Sequence, residues 1–421
     1  MTFAILGQVC GVPLFYSLRA GQLATLYAQK FGAGDFMVGV VNGTLMLGLL
    51  ASVLMPDIVE RFNKRRVMLI SLAASLVVFV PVIFIPWIAA VTSNRTALLV
   101  LAASLLGHVL MLAGQRGTWF PLLHDFLPAG EIGRFFGRLR MSWHTASIGL
   151  LLVFSLTVSK DAPVSRFQVF MAVLLLGACL RLAFHTQLPQ KPVAPSGTRG
   201  FRARMGQMMR DRAFARFTFF SMAAGSLTLW MAPTVVVYAK LLGASDRLVM
   251  LAMMTQMAAR TAGFAVWGRI ADREGLPKLY RRGFCLIAAG FAAWLPISYL
   301  ARGQGRPGAA LACMFVSLAV LAFGDSAVNL SITKQSFHLT PRERAPSYLT
   351  FQPVFMYAST GLGVMVLGAV FGGIRAAETG SWLNPYVIGF ALAALLALAL
   401  TAAVRRLPYG PDSPSARRCG S

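Results

Sequence analysis

Long runs of apolar residues recur from one end of this chain to the other. A run of about 20 apolar residues is what a helix needs to cross the hydrocarbon core of a membrane. Backbone polar groups in lipid must be paired internally, so a spanning segment is either a helix or a strand of a closed barrel. The short alternation that is typical of barrel strands is absent, and the runs therefore predict helices.

The mean hydropathy of +0.67 over 421 residues is too high for a soluble domain and is typical of a multi-span membrane protein. We therefore expect an all-α membrane protein with 12 transmembrane helices. The predicted spans are, in order, 3–27, 36–56, 67–90, 97–122, 141–159, 166–187, 214–239, 247–268, 282–301, 307–333, 347–372 and 384–404.

The formal net charge of +25 could suggest a nucleic-acid partner, but its placement argues otherwise. If the N-terminus is cytoplasmic, most Lys and Arg residues fall in the turns and the tail that face inside. That distribution is the positive-inside rule, which sets orientation and implies no partner. We expect a chain embedded in the lipid bilayer with both termini cytoplasmic and no nucleic-acid partner.

Motifs of enzymes and of metal sites are missing from the sequence. The five cysteines are scattered and form neither a disulfide framework nor a metal-ligand spacing. No phosphate-binding loop, zinc-binding His pair or nucleophile elbow is present. The sequence therefore predicts a protein that is not an enzyme and that carries no cofactor and no metal.

One segment, 188–213, is rich in Pro, Gly and Arg and divides the chain into two sets of six spans. We expect an N-terminal bundle at 1–187, this basic cytoplasmic linker, a C-terminal bundle at 214–406 and a cytoplasmic tail at 407–421. The second part of the linker has bases, Met and Phe at helical spacing, which is equally consistent with an amphipathic helix on the membrane surface and with a plain linker.

The two halves carry similar loops at a constant offset. Glu60-Arg61 aligns with Asp272-Arg273 at 212 residues, and Pro128 aligns with Pro341 at 213 residues. Two independent loops that agree to within one residue indicate a duplicated six-helix unit, with repeats related by an axis along the membrane normal.

The turn after span 8 has the pattern Gly268-x-x-x-Asp272-Arg273-x-Gly275-x-x-Lys278. It resembles the signature of the major facilitator superfamily between spans 2 and 3, here in its second-half copy. The first-half copy departs from it, since Pro56, Glu60 and Asn63 replace the two glycines and the acid. With the 6+6 spans, the resemblance covers essentially the whole chain.

What the resemblance implies is a secondary transporter that works by alternating access, with two pseudo-symmetric six-helix bundles around one midplane cavity. The loops after spans 4 and 10 resemble those of poorly characterised bacterial members, which indicates no substrate. We expect a monomer in a bacterial inner membrane that binds a small-molecule substrate and a possible coupling proton or ion.

The charged turn predicts a cytoplasmic gate. We expect Gly268 to allow close helix approach, Asp272 to face the start of span 5 near Arg138 and Arg140, and Glu60 to face Arg342 and Arg344. The alternative is a turn held by positive-inside charge alone. The predicted gate residues are Gly268, Asp272, Arg273, Gly275, Lys278, Glu60 and Arg61.

Charged residues inside spans are costly and are candidates for function. Arg19, Arg116, Arg181 and Arg260 lie in spans, against a single clear acid, Asp325. The excess of Arg favours an anionic cargo, held by Arg19 and Arg260 from opposite halves. The alternatives are that Arg260 pairs with Asp325 or with backbone carbonyls and that Arg19 reaches outward to the interface. Arg181 is expected to reach the inner interface.

Further polar residues within spans complete the candidate site. The predicted substrate-binding residues are Arg19, Arg260, Arg116, Gln22, Asn42, Gln256 and Asn329. The predicted proton-coupling residues, which are the in-span groups able to titrate usefully, are Asp325, His108 and His144. A lone histidine inside a span is also a common helix–helix hydrogen-bond partner.

Three functions remain open on these observations. The first is a secondary active transporter of a small solute, favoured as an organic anion. The second is a proton-coupled exporter of hydrophobic or cationic compounds, although the Gly-Pro-x-x-Gly-Gly signature of span 5 is missing. The third is a transporter-like scaffold or sensor that transports nothing.

Overall fold

The computed structural model describes residues 1–19, 22–55, 57–58, 62–126, 132–157, 162–189, 201–340, 345–375 and 383–408. Within these ranges the chain is helical and has no strand. Eleven helices of this part are long and apolar enough to cross a membrane, and a bent pair makes twelve if it counts as one span. The prediction of an all-α membrane protein with 12 spans is confirmed.

The helices of the first half follow the predicted spans closely. They are Thr2–Arg19 and Gln22–Gln29 (span 1), Asp35–Leu47 with a 3-10 continuation Gly48–Leu54 (span 2), Lys64–Val91 (span 3), Asn94–Phe126 (span 4), Ile132–Thr157 (span 5) and Val164–His185 (span 6).

The helices of the second half do the same, preceded by a helix in the linker. They are Phe201–Arg210 (linker helix), Arg212–Leu241 (span 7), Asp246–Glu274 (span 8), Leu276–Ala292 with Trp294–Ser298 and the π turn Tyr299–Gly303 (span 9), Pro307–Leu339 (span 10), Ala345–Arg375 (span 11) and Pro385–Ala403 (span 12).

The turns before spans 3 and 9 show the internal repeat at the level of single residues. Asn63 caps span 3, since its side chain accepts from the backbone amides of Arg65 and Arg66. Gly275, at the same offset of 212 residues as the loop motif, occupies the corresponding position before span 9 and has a φ of 81°. Only glycine adopts that backbone conformation easily, whereas Asn63 serves the same position by side-chain capping.

Large apolar side chains cover the outside of the molecule. Val77, Trp87 and Leu395 are each more than 60% exposed. Such a surface would associate in water, but it is what lipid-facing helices require. The polar side chains that are buried lie instead between helices, where their placement determines the site.

Candidate functional site

A cavity of about 50 Å³ lies where the two halves meet. Its wall comes mainly from spans 7, 8, 9 and 10, and the first half contributes Tyr16 and Gln22 of span 1. Span 1 bends by 56° between Leu18 and Gln22, and side chains from both sides of this bend line the cavity. The lining residues are Tyr16, Gln22, Thr228, Leu229, Ala232, Val235, Met253, Gln256, Met257, Arg260, Phe291, Leu318, Leu321, Ala322 and Asp325.

An ion pair forms the polar wall of this cavity. The guanidinium of Arg260 lies 2.8 Å from Asp325 Oδ2, and its other terminal nitrogen donates to the hydroxyl of Tyr16. The Thr228 hydroxyl donates to Asp325 Oδ1 at 2.7 Å. Asp325 is 3% exposed, so its charge is neutralised by a single guanidinium in a place that water hardly reaches.

A second polar contact joins the halves beside the ion pair. Gln22 Nε2 of span 1 donates to Gln256 Oε1 of span 8 at 2.5 Å. Both amides line the cavity, and Gln22 is 4% exposed. The contact spans the bundle interface, so it changes if the halves move relative to each other.

His144 of span 5 lies next to this network. Its Nδ1 is 2.8 Å from the hydroxyl of Thr261, and that hydroxyl donates to the Met257 carbonyl. Since the Thr261 hydroxyl has one proton, it accepts from His144. The imidazole centroid is 5.6 Å from the ring of Tyr16, the residue that also binds Arg260.

Charged and polar contacts also link the halves at the ends of spans 1, 7 and 8. Asp246, at the start of span 8, lies 2.7 Å from Lys30 Nζ and 2.9 Å from Lys240 Nζ. It also accepts from the backbone amide of Ala162 at 3.0 Å. Asp246 is 1% exposed, so this carboxylate ties the first half to the second through buried charge.

Glycines bring spans 2 and 11 into backbone contact at the same end of the molecule. A Cβ on Gly39 would lie 2.9 Å from the Val364 carbonyl oxygen, and one on Gly368 would lie 2.7 Å from the Asp35 carbonyl oxygen. Small residues of this kind allow close helix packing in membranes, and Tyr386 adds a hydrogen bond to Asp35 at 2.6 Å.

A family model for the Major Facilitator Superfamily matches residues 8–352 of this sequence. The chain belongs to the major facilitator superfamily. As a superfamily member it is a multi-pass membrane transporter of small solutes and not an enzyme. A search of curated protein sequences gives no match.

Solved structures of superfamily transporters share the fold. The nucleoside transporter NupG is 15% identical with a TM-score of 0.65, covering 96% of this chain and 98% of its own. The xylose transporter XylE from E. coli, in a partially occluded inward open conformation, is 12% identical with a TM-score of 0.70, covering 98% and 97%. A POT family transporter in complex with a conjugated peptide is 10% identical with a TM-score of 0.73, covering 97% of each chain. Identities this low show the fold alone.

Four of the predicted site residues line the cavity, namely Arg260, Asp325, Gln22 and Gln256. His144 is linked to the cavity-lining residue Met257 by two hydrogen bonds, by way of the Thr261 hydroxyl. The side chain of Arg19 lies outside the described residues. The structure therefore brings together the predicted contacts of spans 1, 8 and 10, and Arg260 takes the pairing that the sequence left as an alternative.

Other predicted site residues lie away from the cavity lining. The guanidinium carbon of Arg116 is 4.3 Å from the ring centroid of Phe15. Asn42 donates to Thr25 at 3.0 Å, and Asn329 donates to the Asp325 carbonyl. His108 Nδ1 is 2.8 Å from the Ser75 carbonyl, which is the helix–helix role that a lone histidine often has. Their parts in transport stay predictions.

The predicted gate is described only in part. Glu60, Arg61 and the side chain of Asp272 lie outside the described residues, and Arg273 is exposed. Lys278 is 3.8 Å from Glu274, which also receives two hydrogen bonds of 2.8 Å from Arg282. The hydrogen bonds from Arg282 lower the pKa of Glu274 below its ordinary value.

The close helix approach expected at Gly268 is not seen among the described residues. A Cβ there would meet no described atom within 4 Å, so that role of Gly268 stays a prediction. Arg138 is exposed and Arg140 lies 5.3 Å from the ring centroid of Phe264; their pairing with Asp272, whose side chain lies outside the described residues, stays a prediction.

The expectation that Arg181 reaches the interface is wrong as well. Arg181 is 5% exposed and donates to Gln8 Oε1 at 3.1 Å. Its aliphatic part lies against Gly11 of span 1, where the missing side chain makes room for it. Packing between spans 1 and 6 therefore encloses the guanidinium.

Sequence reasoning missed Tyr16, Thr228 and Asp246. Nothing in the neighbourhood of these residues along the chain marks them, and Asp246 resembles an ordinary acid in the first turn of a helix. One signal was available in the sequence. Asp325 is an acid inside a span and needs buried partners, so hydroxyl-bearing residues at a similar depth in other spans could have been considered. The contacts depend on which side of each helix is turned toward its neighbours, and no local sequence pattern determines that orientation.

Proposed function

We propose that this protein is a proton-coupled transporter of a small organic anion, and that Arg260 binds the anion while Asp325 carries the proton. The observation that supports this most is the ion pair between these residues in the wall of a cavity shared by both halves. Arg260 is the group that would bind an anion, and Asp325 is the carboxylate that competes with that anion for Arg260.

Competition between proton, cargo and carboxylate gives coupling a physical basis. With Asp325 ionised, the pair is neutral and Arg260 has little attraction left for another anion. Protonation of Asp325 removes the competing charge, and a cargo carboxylate can then take the guanidinium. The cargo and the proton thus bind together, which is what symport of an anion with a proton requires.

Cargo binding at Arg260 would also act on both halves. Arg260 donates to Tyr16 of span 1, and Gln22 contacts Gln256 beside it. A ligand that changes these contacts has different affinities for two arrangements of the halves, so it shifts their equilibrium. Arg19 stays the second predicted anion contact.

The remaining predictions fit this proposal. The bundles at 1–187 and 214–406 would rock about the cavity, joined by the linker at 188–213 and followed by the tail at 407–421. Asp272, Arg273, Gly275 and Lys278, with Glu60 and Arg61, would form the cytoplasmic gate. The protein would be a monomer in a bacterial inner membrane with both termini in the cytoplasm, as the positive-inside distribution indicates.

An exporter of hydrophobic cations is the second candidate. The apolar part of the cavity wall, with Met253, Met257 and Phe291, suits an apolar ligand. Asp325 would hold the cation once Arg260 moved away. This function requires that a cation, rather than an anion, competes with Arg260 for its partner.

Reconstituted proteoliposomes separate the two candidates. Radiolabelled organic anions and a fluorescent lipophilic cation would be offered with an inward proton gradient. The proposal predicts anion uptake that is driven by the gradient and lost in Arg260→Ala. Arg282→Ala, which removes an ion pair with Glu274 outside the cavity, is the matched control. Cation transport that persists in Arg260→Ala would favour the exporter, and absence of counterflow for every solute would indicate a scaffold.

A further inference from the structure

We infer that the cargo is a monocarboxylate with a short, uncharged apolar tail. The inference rests on the proposed function and names the chemical class of the anion at the same site. Its basis is the order of residues along the cavity wall: the charged groups gather at one end, and apolar side chains from three helices form the other end.

The polar end of the cavity lies at the ion pair. Asp325 of span 10 lies 2.8 Å from the guanidinium of Arg260 in span 8 and accepts from the hydroxyl of Thr228 in span 7 at 2.7 Å. The hydroxyl of Tyr16 in span 1 accepts from Arg260. These contacts put Thr228, Arg260 and Asp325 at one level of their helices, so they fix the register in which the three helices line the cavity.

The three helices lead away from the ion pair in the same direction. Spans 7 and 8 are joined by the short turn 242–245, and spans 8, 9 and 10 are joined by similarly short connections. Neighbouring spans therefore run antiparallel, and spans 8 and 10 run the same way. Residues that follow Thr228 in span 7 thus lie on the same side of the ion pair as residues that precede Arg260 and Asp325.

On that side of the ion pair, the residues that line the cavity are apolar apart from two amides. The apolar residues are Leu229, Ala232 and Val235 in span 7, Met257 and Met253 in span 8, and Ala322, Leu321 and Leu318 in span 10. The two amides, Gln22 and Gln256, bind each other. A cargo that extends from the ion pair in this direction therefore meets a mainly apolar wall.

Val235, Met253 and Leu318 mark the far end of the cavity. Each lies seven positions along its helix from the residue that the helix contributes to the polar end, which is about 10 Å at 1.5 Å per residue. The volume of about 50 Å³ corresponds to about three or four water molecules, at roughly 10–15 Å³ for each. A space of this length and volume suits a narrow ligand with one charged head and a short carbon chain.

The charge of the wall limits the cargo to one carboxylate. Arg260 is the one cation among the described residues that line the cavity, and it can bind one carboxylate bidentately. A second carboxylate at the other end of the cargo would lie among Val235, Met253 and Leu318, which offer neither charge nor hydrogen bond. Burying an unpaired charge or hydroxyl in such surroundings is costly, whereas a methyl group is favoured there.

The experiment compares butyrate, 4-hydroxybutyrate and succinate, which share a four-carbon acid and bear a methyl group, a hydroxymethyl group or a second carboxylate at the far carbon. Thermal stabilisation of the purified protein by each acid is titrated at about pH 6.5, where an ordinary carboxyl group is ionised. We expect butyrate to bind about tenfold more tightly than 4-hydroxybutyrate and at least about 100-fold more tightly than succinate, because the buried hydroxyl or second carboxylate has no partner.

Met253→Gln and Met250→Gln form a matched pair of variants. Both methionines are buried in span 8, but only Met253 is among the residues that line the cavity. Met253→Gln puts an amide at the far end, so the preference for butyrate over 4-hydroxybutyrate should disappear. Met250→Gln should leave the preference near tenfold. A preference that stays near tenfold in folded Met253→Gln would overturn the assignment of the tail to this end.

The other outcomes separate this inference from the proposed function. Equal binding of the three acids, lost in Arg260→Ala, would overturn the apolar tail and leave the anion transporter standing. Tighter binding of succinate, lost in Arg19→Gln, would overturn the limit to one carboxylate and assign the second charge to Arg19. Failure of the three acids while another organic anion binds would overturn this inference alone, and failure of every organic anion would overturn the proposed function with it. If Met253→Gln does not fold, the series in the wild-type protein still decides.

Discussion

Arg260 and Arg181 both lie deep within apolar helices, yet their surroundings differ. Arg260 has a carboxylate 2.8 Å away and lines a cavity to which both halves contribute. Arg181 is 5% exposed, and its hydrogen-bond partner is the neutral side-chain oxygen of Gln8. No ion pair to Arg181 occurs among the residues that the structure describes.

The difference shows which buried charge can change partners. Spans 1 and 6 enclose Arg181 within the first half, so relative motion of the halves leaves its contacts unchanged. Arg260 touches Tyr16 across the interface, and its carboxylate can be replaced by a ligand. A charge inside a span indicates a candidate, and its neighbours determine whether the candidate is positioned to act.

The largest expected effect is on transport. Arg260→Ala should reduce anion uptake by about 100-fold or more, since the cargo loses its charged partner and truncating one side of a buried charge pair costs roughly 2–5 kcal/mol of binding. Arg181→Met should change uptake by less than about twofold, because the side chain binds no cargo. Initial rates in proteoliposomes measure both, and a loss of uptake in Arg181→Met at normal folding would break the contrast.

The next effect is on thermal stability. Arg260→Ala should lower the unfolding temperature, because it leaves the Asp325 carboxylate buried without its partner. The double variant Arg260→Ala/Asp325→Ala should recover part of that loss, although it does not recover transport. Arg181→Met should lower the unfolding temperature less than Arg260→Ala, since it removes a buried cation and leaves only the neutral Gln8 oxygen without its donor. The unfolding temperatures of the purified variants in detergent test this order. An Arg260→Ala variant with an unchanged unfolding temperature would contradict it.

Asp246 extends the comparison to a buried acid. Its pairing with Lys30 crosses between the halves, so Asp246→Asn should favour separation at that end. Thr234 of span 7 is 7% exposed and lines a small pocket with Asp35 of span 2, so it reports on opening at this end. We expect about fivefold faster thiol labelling of Thr234→Cys in a cysteine-free background, for a population shift of roughly 1 kcal/mol. Glu274→Gln is the matched control, since its partner Arg282 belongs to the same half. Equal labelling of both variants would refute the role of Asp246.

The helices and the repeat could be predicted because they depend on local features. Apolar length predicts each span, and the aligned loops place Asn63 and Gly275 at equivalent turn positions. Gly275 has a φ of 81°, so the turn itself accounts for that glycine of the motif. For Gly268, no atom of the described residues lies within 4 Å of an added Cβ, so the packing reason for that glycine stays a prediction.

The contacts in the site depend on how helices face one another, which a single sequence does not reveal. Gln22 and Gln256 are 234 positions apart, and Tyr16 reaches Arg260 only because the two residues meet across the interface between the halves. The depth of Arg181 depends on Gly11 opposite it. Such pairings come from interlocking shapes across helices, so they could be proposed as candidates but not chosen.

The central claim is that protonation of Asp325 frees Arg260 to bind the cargo anion. The direct test measures the affinity of the purified protein for a bound organic anion across pH, in wild type and in Asp325→Asn. In wild type, affinity should rise by up to about tenfold for each unit of falling pH while the proton is taken up with the anion. Asp325→Asn should bind the anion with no such dependence. An equally steep pH dependence in folded Asp325→Asn, or no anion binding by it at any pH, would contradict the account.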